Sequence, residues 1–153
     1  MKTIARITSI LVYLILLTSC AQSIDGNLED DYINREGNIT YYKGAPYTGE
    51  IVTIWTYTGE LRSKINYKDG RYDGLYETYH KNGQLDVKTN YNDGEYDGLY
   101  EEWLDDGRLL RKEHYKDGIN DGLYEMYQGE KLCIRILYED GQEINREHFC
   151  QGE

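Results

Sequence analysis

Residues 67 to 90 read YKDGRYDGLYETYHKNGQLDVKTN, and residues 91 to 114 read YNDGEYDGLYEEWLDDGRLLRKEH. The second stretch tracks the first position by position, so the chain is built from a repeat. Starting points at Tyr42, Tyr67, Tyr91, Tyr115 and Tyr138 extend it outward, with periods of 25, 24, 24 and 23 residues. Within these units Asp69-Gly70, Asn82-Gly83, Asp93-Gly94, Asp106-Gly107 and Asp117-Gly118 recur 11 to 13 residues apart. Asx-Gly pairs supply the positive φ angles of a two-residue hairpin turn. One strand fits between consecutive turns. The expected fold is therefore all-β: a single-layer antiparallel meander of repeated β-hairpins, twisted or curved.

The turns set a register. With Asn82-Gly83 as a loop, Glu77 faces Lys88 and Gly74 faces Tyr91; one repeat later Glu101 faces Lys112 and Gly98 faces Tyr115. A three-residue loop centred on Glu130 sets Glu125 against Arg135 and Gly122 against Tyr138. The opening hairpin keeps Tyr67 opposite Gly49 if its extra residue sits in Tyr57-Thr58-Gly59, and there Val52 faces Lys64. Opposite charges across a ladder stabilise by roughly 0.2–1 kcal/mol each. A ring over a strand glycine covers the backbone that glycine leaves bare.

Alternation then sorts the faces. One collects Tyr72, Tyr76, Leu85, Val87, Tyr91, Tyr96, Tyr100, Leu109, Tyr115, Tyr124, Leu132, Ile134, Ile136 and Tyr138. The other carries the Glu/Lys pairs, with Tyr79, Trp103 and Tyr127 beside Leu75, Leu99 and Leu123. Seventeen tyrosines against one phenylalanine suit a sheet that is buried on one side of each ring and wet at its tip. A lone sheet has no second layer for both faces, so it must twist into a groove, dimerise or hold a partner. The candidate binding face is Tyr76, Tyr91, Tyr100, Tyr115, Tyr124 and Tyr138.

The unit Y-x-D-G-x-x-D-G-L-Y-E-x-[YW]-x-x-[ND]-G-x-L resembles the bacterial MORN-repeat variant family, many of whose members carry a YwqK-type antitoxin label. The stretch Tyr41-Tyr42-Lys43-Gly44-Ala45-Pro46-Tyr47-Thr48-Gly49 is similar to the opening of that family's first repeat, and the resemblance runs from Tyr41 to about Gly141. It implies a curved run of hairpins used for interaction, with no catalytic constellation to carry over.

The N-terminal end points to export. Lys2 and Arg6 precede an apolar run from Ile7 to Leu17, too short to span a bilayer and free of acids. The run closes in Leu17-Thr18-Ser19-Cys20, which resembles a bacterial lipobox, with Cys20 as the lipid attachment site. Ala21 after it resembles lipoproteins sent to an outer membrane. The expected organisation is a lipoprotein signal peptide over 1–19, a lipidated N-terminus, acidic tether and lead-in strand over 20–40, and the repeat domain over 41–153. Losing Lys2 and Arg6 takes the formal charge from −11 to −13. Nucleic acid is a poor partner for such a chain, because binding it needs a basic face to displace counterions.

Catalytic chemistry is missing from the pattern. His80, His114 and His148 occupy different repeat positions and read as solvated strand histidines, not a metal ladder. Every serine, at positions 9, 19, 23 and 63, lies outside the regular repeats. Asp69/Asp73, Asp93/Asp97 and Asp117/Asp121 stack acids along one edge, and a backbone role in turns accounts for them better than calcium does. No enzyme activity and no cofactor are expected. With Asp140-Gly141 as a turn, Cys133 faces His148 and Cys150 is its diagonal neighbour. That is slightly far for a disulfide unless a bulge shifts the strand, although an oxidising compartment favours pairing. The functional expectation is a non-catalytic, membrane-anchored module for a protein or peptide of the envelope. The alternatives are a glycan-binding lipoprotein or an antitoxin-like immunity partner.

Overall fold

The computed structural model describes residues 22–25 and 33–150. The segment read as a signal peptide and Cys20 lie outside the described residues. Among the described residues there is no helix, and the strands run in the order β1 (Gln22–Asp25), β2 (Ile33–Glu36), β3 (Ile39–Tyr42), β4 (Ala45–Pro46), β5 (Gly49–Ile54), β6 (Leu61–Lys68) and β7 (Arg71–Tyr79). They continue as β8 (Leu85–Asn92), β9 (Glu95–Tyr96), β10 (Gly98–Trp103), β11 (Leu109–Lys116), β12 (Ile119–Gln128), β13 (Lys131–Glu139) and β14 (Gln142–His148). From β5 to β14 each strand pairs antiparallel with the next, β9 being a short companion of β8, and the sheet does not close. This is the hairpin meander that the turn spacing predicts.

The registers read from charge and glycine hold in every hairpin. Glu77 pairs with Lys88, Glu101 with Lys112 and Glu125 with Arg135, while Gly49, Gly74, Gly98 and Gly122 lie opposite Tyr67, Tyr91, Tyr115 and Tyr138. Val52 faces Lys64, as the extra turn residue requires.

The Asx-Gly pairs divide into two kinds of turn. Asp69, Asp93, Asp117 and Asp140 take φ near +50°, each followed by a left-handed glycine, which is the two-residue geometry expected of the pair. Asn82 and Asp106 do not take positive φ; only Gly83 and Gly107 turn left-handed. There the backbone closes a three-residue loop, with His80 N–H donating to the Gln84 carbonyl at 2.8 Å and Leu104 N–H to Arg108 at 2.8 Å. The Asx side chain accepts from the chain two residues on, Asn82 Oδ1 from Gln84 N–H and Asp106 Oδ1 from Arg108 N–H, both at 3.0 Å. The β12–β13 connection is shorter than its expected three residues, because Gln128 and Lys131 pair directly around Gly129 and Glu130.

Each of these turns carries a bulge that moves one residue across the sheet. Leu85, Leu109 and Leu132 pair with Tyr79, Trp103 and Tyr127, so they join that face and not the tyrosine face on which strict alternation sets them. A second irregularity falls at the inner Asp-Gly. It is no turn: Ile65 pairs with Tyr76 and Tyr67 with Tyr72, so Asp73, Gly74 and Leu75 together oppose Asn66. Gly74, Gly98 and Gly122 absorb the kink with φ of 94°, 102° and 118°.

Consecutive units are stitched along the Asp-Gly edge. Gly70 N–H donates to the Tyr47 carbonyl, Gly94 to Tyr72, Gly118 to Tyr96 and Gly141 to Asn120, at 2.7 to 2.9 Å. The hairpin β2–β3 and β4 form a small separate sheet that begins before Tyr41, with Lys43-Gly44 in the same left-handed pair. Its seat is Gly70, which also accepts from Thr40 N–H at 2.8 Å. Antiparallel pairing stops there. The outer side of β5 is taken by β1 in parallel, Gln22 against Gly49, so four residues of the stretch read as a tether are strand.

Candidate interaction surface

Because there is one layer, the buried apolar set among the described residues is small: Tyr47, Ile51, Tyr100, Cys133 and Ile136. Packing is instead distributed along a chain of tyrosine rings. Contacts run from Tyr42 through Tyr47, Tyr67, Tyr72, Tyr91 and Tyr96 to Tyr115, with centroids 4.6 to 6.1 Å apart; Tyr76 and Tyr100 lean on it from the side. Edge-to-face and tilted pairs at such spacings are favourable, because the positive edge of one ring meets the negative face of the next. Burial pushes the hydroxyls up: Tyr47 and Tyr100 reach about 12, and Tyr67, Tyr91 and Tyr115 lie higher still.

This geometry sorts the six candidate residues. Tyr76, Tyr91, Tyr100 and Tyr115 belong to the ring chain, and Tyr100 is buried. Tyr124 lies opposite Ile136 and Tyr138 opposite Gly122, further along the same sheet. All but Tyr100 are half-buried. Above the chain is a groove of about 720 Å³ with Tyr72, Tyr91 and Tyr96 on its floor and the stacked turns Asp93-Gly94 and Asp117-Gly118 along one wall. Arg35 and Asn38 of the small sheet overhang it. Arg35 holds its place by a cation–π contact to Tyr72, 5.3 Å from guanidinium to centroid, and by donating to the Tyr72 hydroxyl at 3.2 Å.

The third hairpin places charge on the tyrosine face. Glu102 pairs with Arg111, and Tyr100 with Glu113; the matching positions hold Thr78 with Val87 and Tyr76 with Thr89 in the second hairpin. Arg111 bridges both carboxylates, its Nη1 2.8 Å from Glu113 and its Nε on Glu102, and stacks 5.0 Å from the Tyr100 centroid. Glu113 is buried and accepts from the Tyr115 hydroxyl at 2.6 Å and from Asn120 at 3.1 Å. The register that sets Glu101 opposite Lys112 sets Glu102 opposite Arg111 as well, so this cluster could have been found from sequence.

On the opposite face the charges form one ladder. Lys64, Glu77, Lys88, Glu101, Lys112, Glu125, Arg135 and Glu147 are consecutive partners across eight strands, alternating in sign throughout. Close ion pairs form within hairpins, Lys88 to Glu77 at 3.3 Å, Lys112 to Glu101 at 3.0 Å and Arg135 to Glu125 at 2.9 Å.

Cys133 and Cys150 form a disulfide with Cα atoms 4.6 Å apart. A bulge between Leu137 and Tyr138 moves β14 by one residue, so His148 pairs with Ile134, not with Cys133, and Cys150 comes within reach. His114 is exposed on its strand, with Nδ1 3.0 Å from the Leu123 carbonyl. His80, by contrast, sits at a turn, half-buried, with Nε2 2.9 Å from the Trp103 carbonyl. Among the described residues no group of three metal-ligating side chains is brought together.

The open sheet of repeated hairpins is a β-repeat module, an architecture that suggests binding or scaffolding. The family model described as the MORN repeat variant matches residues 72–93 and 96–117, two adjacent repeats that hold the ring chain from Tyr72 to Tyr115. Repeats of this family are generally non-catalytic. Comparison with curated proteins and with solved structures finds no match.

Proposed function

We propose that this chain is a membrane-anchored interaction module of the bacterial cell envelope, tethered by a lipid on Cys20, that binds a protein or peptide in the groove over Tyr72, Tyr91 and Tyr96. The groove carries the reading: an aromatic floor under an arginine overhang offers apolar area and directional hydrogen bonds together, the usual make-up of a recognition surface. The Cys133–Cys150 disulfide fits an oxidising compartment and so supports export. A photocrosslinker placed at exposed Asn38 in cells should trap a partner in the membrane fraction, whereas one at Thr58, on the opposite edge, should not. Cys20→Ser should abolish membrane association. Equal trapping from both positions, or an unchanged membrane fraction, would reject the corresponding half of the proposal.

A glycan ligand is favoured by one separate observation. A second groove, of about 430 Å³, sets Trp55 and Tyr76 beside the hydroxyls of Thr53, Ser63 and Thr78 and the carboxylate of Asp86. A saccharide stacked there would change the fluorescence of Trp55, and a glycan array without hits removes this alternative.

A further inference from the structure

We infer that the exposed edge of β14 is a second docking site, which takes an extended strand of a partner protein carrying a lysine or arginine opposite Glu147. This goes beyond the groove proposed above and rests on different residues. Every residue of β14 is exposed, and among the described residues the strand pairs on one side only, with β13. Its outward backbone groups are therefore a template for a further strand.

The charge ladder says which strand fits. Inside the sheet each acidic rung from Glu77 to Glu125 has a cation in register on both sides: Glu77 lies between Lys64 and Lys88, Glu101 between Lys88 and Lys112, and Glu125 between Lys112 and Arg135. Glu147 is the terminal rung and has a cation on one side alone. That cation is already committed: Arg135 donates to Glu125 from Nε and Nη2 at 3.0 and 2.9 Å, and reaches Glu147 only at 3.9 Å. The neighbouring charge on the strand, Arg146, is held by Glu143 on the other face and does not compete. A strand added to β14 thus meets, at a fixed register, a carboxylate whose one cation is 3.9 Å away and shared with Glu125. Opposite charge there attracts and like charge repels, which selects among partners.

The disulfide supports the same site. It fixes Cys150, two residues beyond the end of β14, to Cys133 on the strand behind, so the edge is held in pairing geometry up to its last residue. A second copy of the chain is a poor occupant. Two-fold antiparallel pairing centred on the charged end would set Arg146 or Glu147 opposite itself.

The test uses the full chain in detergent and a labelled peptide with the sequence of β8, LDVKTNYN, whose lysine lies between two glutamates in the native sheet. Fluorescence anisotropy should show this peptide binding about five-fold tighter than a version with glutamate for the lysine. Glu147→Lys should reverse the order, and methylating alternate peptide nitrogens should abolish binding of both. Absence of binding, or a preference that Glu147→Lys leaves unchanged, overturns the inference. So does a chain dimer in sedimentation that Glu147→Lys dissociates, since the occupant would then be a second copy. Trapping at Asn38 that persists in Glu147→Lys, beside a failed peptide assay, would reject the edge and leave the groove standing.

Discussion

Glycine within a strand normally weakens it, having no side chain to pack and more chain entropy to lose. Here the inner Asp-Gly glycines are where the repeat bends, and two of them separate conformation from space. Gly98 has φ of 102° and open room around a would-be Cβ; Gly122 has φ of 118° and a would-be Cβ only 2.9 Å from His114 Cβ. Alanine at Gly98 should therefore cost backbone strain alone, about 1–3 kcal/mol. Gly122→Ala should cost more, because His114 must also leave its contact with the Leu123 carbonyl. Urea midpoints for the two variants check the order, and equal losses would mean that the crowding at His114 relaxes freely. In sequence the inner and outer Asp-Gly pairs look alike. What separates them is which strand lies alongside, and that is fixed only once the sheet has assembled.

At the level of the strand, hairpin registers were legible because two unlike signals, a charge pair and a glycine under a tyrosine, agreed on one register within each of three hairpins. The bulges were not legible. Asn82-Gly83 and Asp93-Gly94 both satisfy a left-handed glycine, and only the three-residue closure at Gly83 reveals that Leu85 has changed face. Pairing between hairpins was also out of reach, since the Asp93-Gly94 turn by itself sets Lys88 against Leu99 and only the irregularity at Asp97-Gly98 brings it to Glu101; the structure turns three isolated ion pairs into a ladder. A charge swap distinguishes the two. For an isolated pair, Glu101→Lys with Lys112→Glu restores the attraction lost in either single variant. In a ladder the double variant still sets Lys88 against a lysine and Glu125 against a glutamate, so it should remain about 1 kcal/mol less stable than the parent. The deficit should shrink in high salt. Full recovery in thermal melts would show that the inter-hairpin rungs carry no energy.

A molecule with so few fully buried apolar residues stakes its stability on half-buried rings, and that gives it an unusual weakness at alkaline pH. Tyr47, Tyr79 and Tyr100 are raised to about 12, in each case first by burial; the charge of Glu50 pushes Tyr47 further up, and the hydrogen bond to Glu77 does the same for Tyr79. At Tyr100 the Arg111 guanidinium pulls the other way and burial prevails. Tyr67, Tyr91 and Tyr115, along the ring chain, are displaced further in the same direction. In the unfolded chain these phenols ionise near 10. The folded state therefore holds protons that the unfolded state releases, and this contribution is complete below pH 10 and lost as pH rises through the folded values. The expected result is one cooperative transition between about pH 10 and 12, with loss of sheet circular dichroism and the rise in tyrosinate absorbance of the ring chain coinciding. Tyr100→Phe keeps the ring and removes one titrating hydroxyl, so it should move that transition to higher pH. Were tyrosinate to form completely near pH 10 while the sheet signal stayed intact, the rings would be solvated platforms and not the packing that holds the hairpins together.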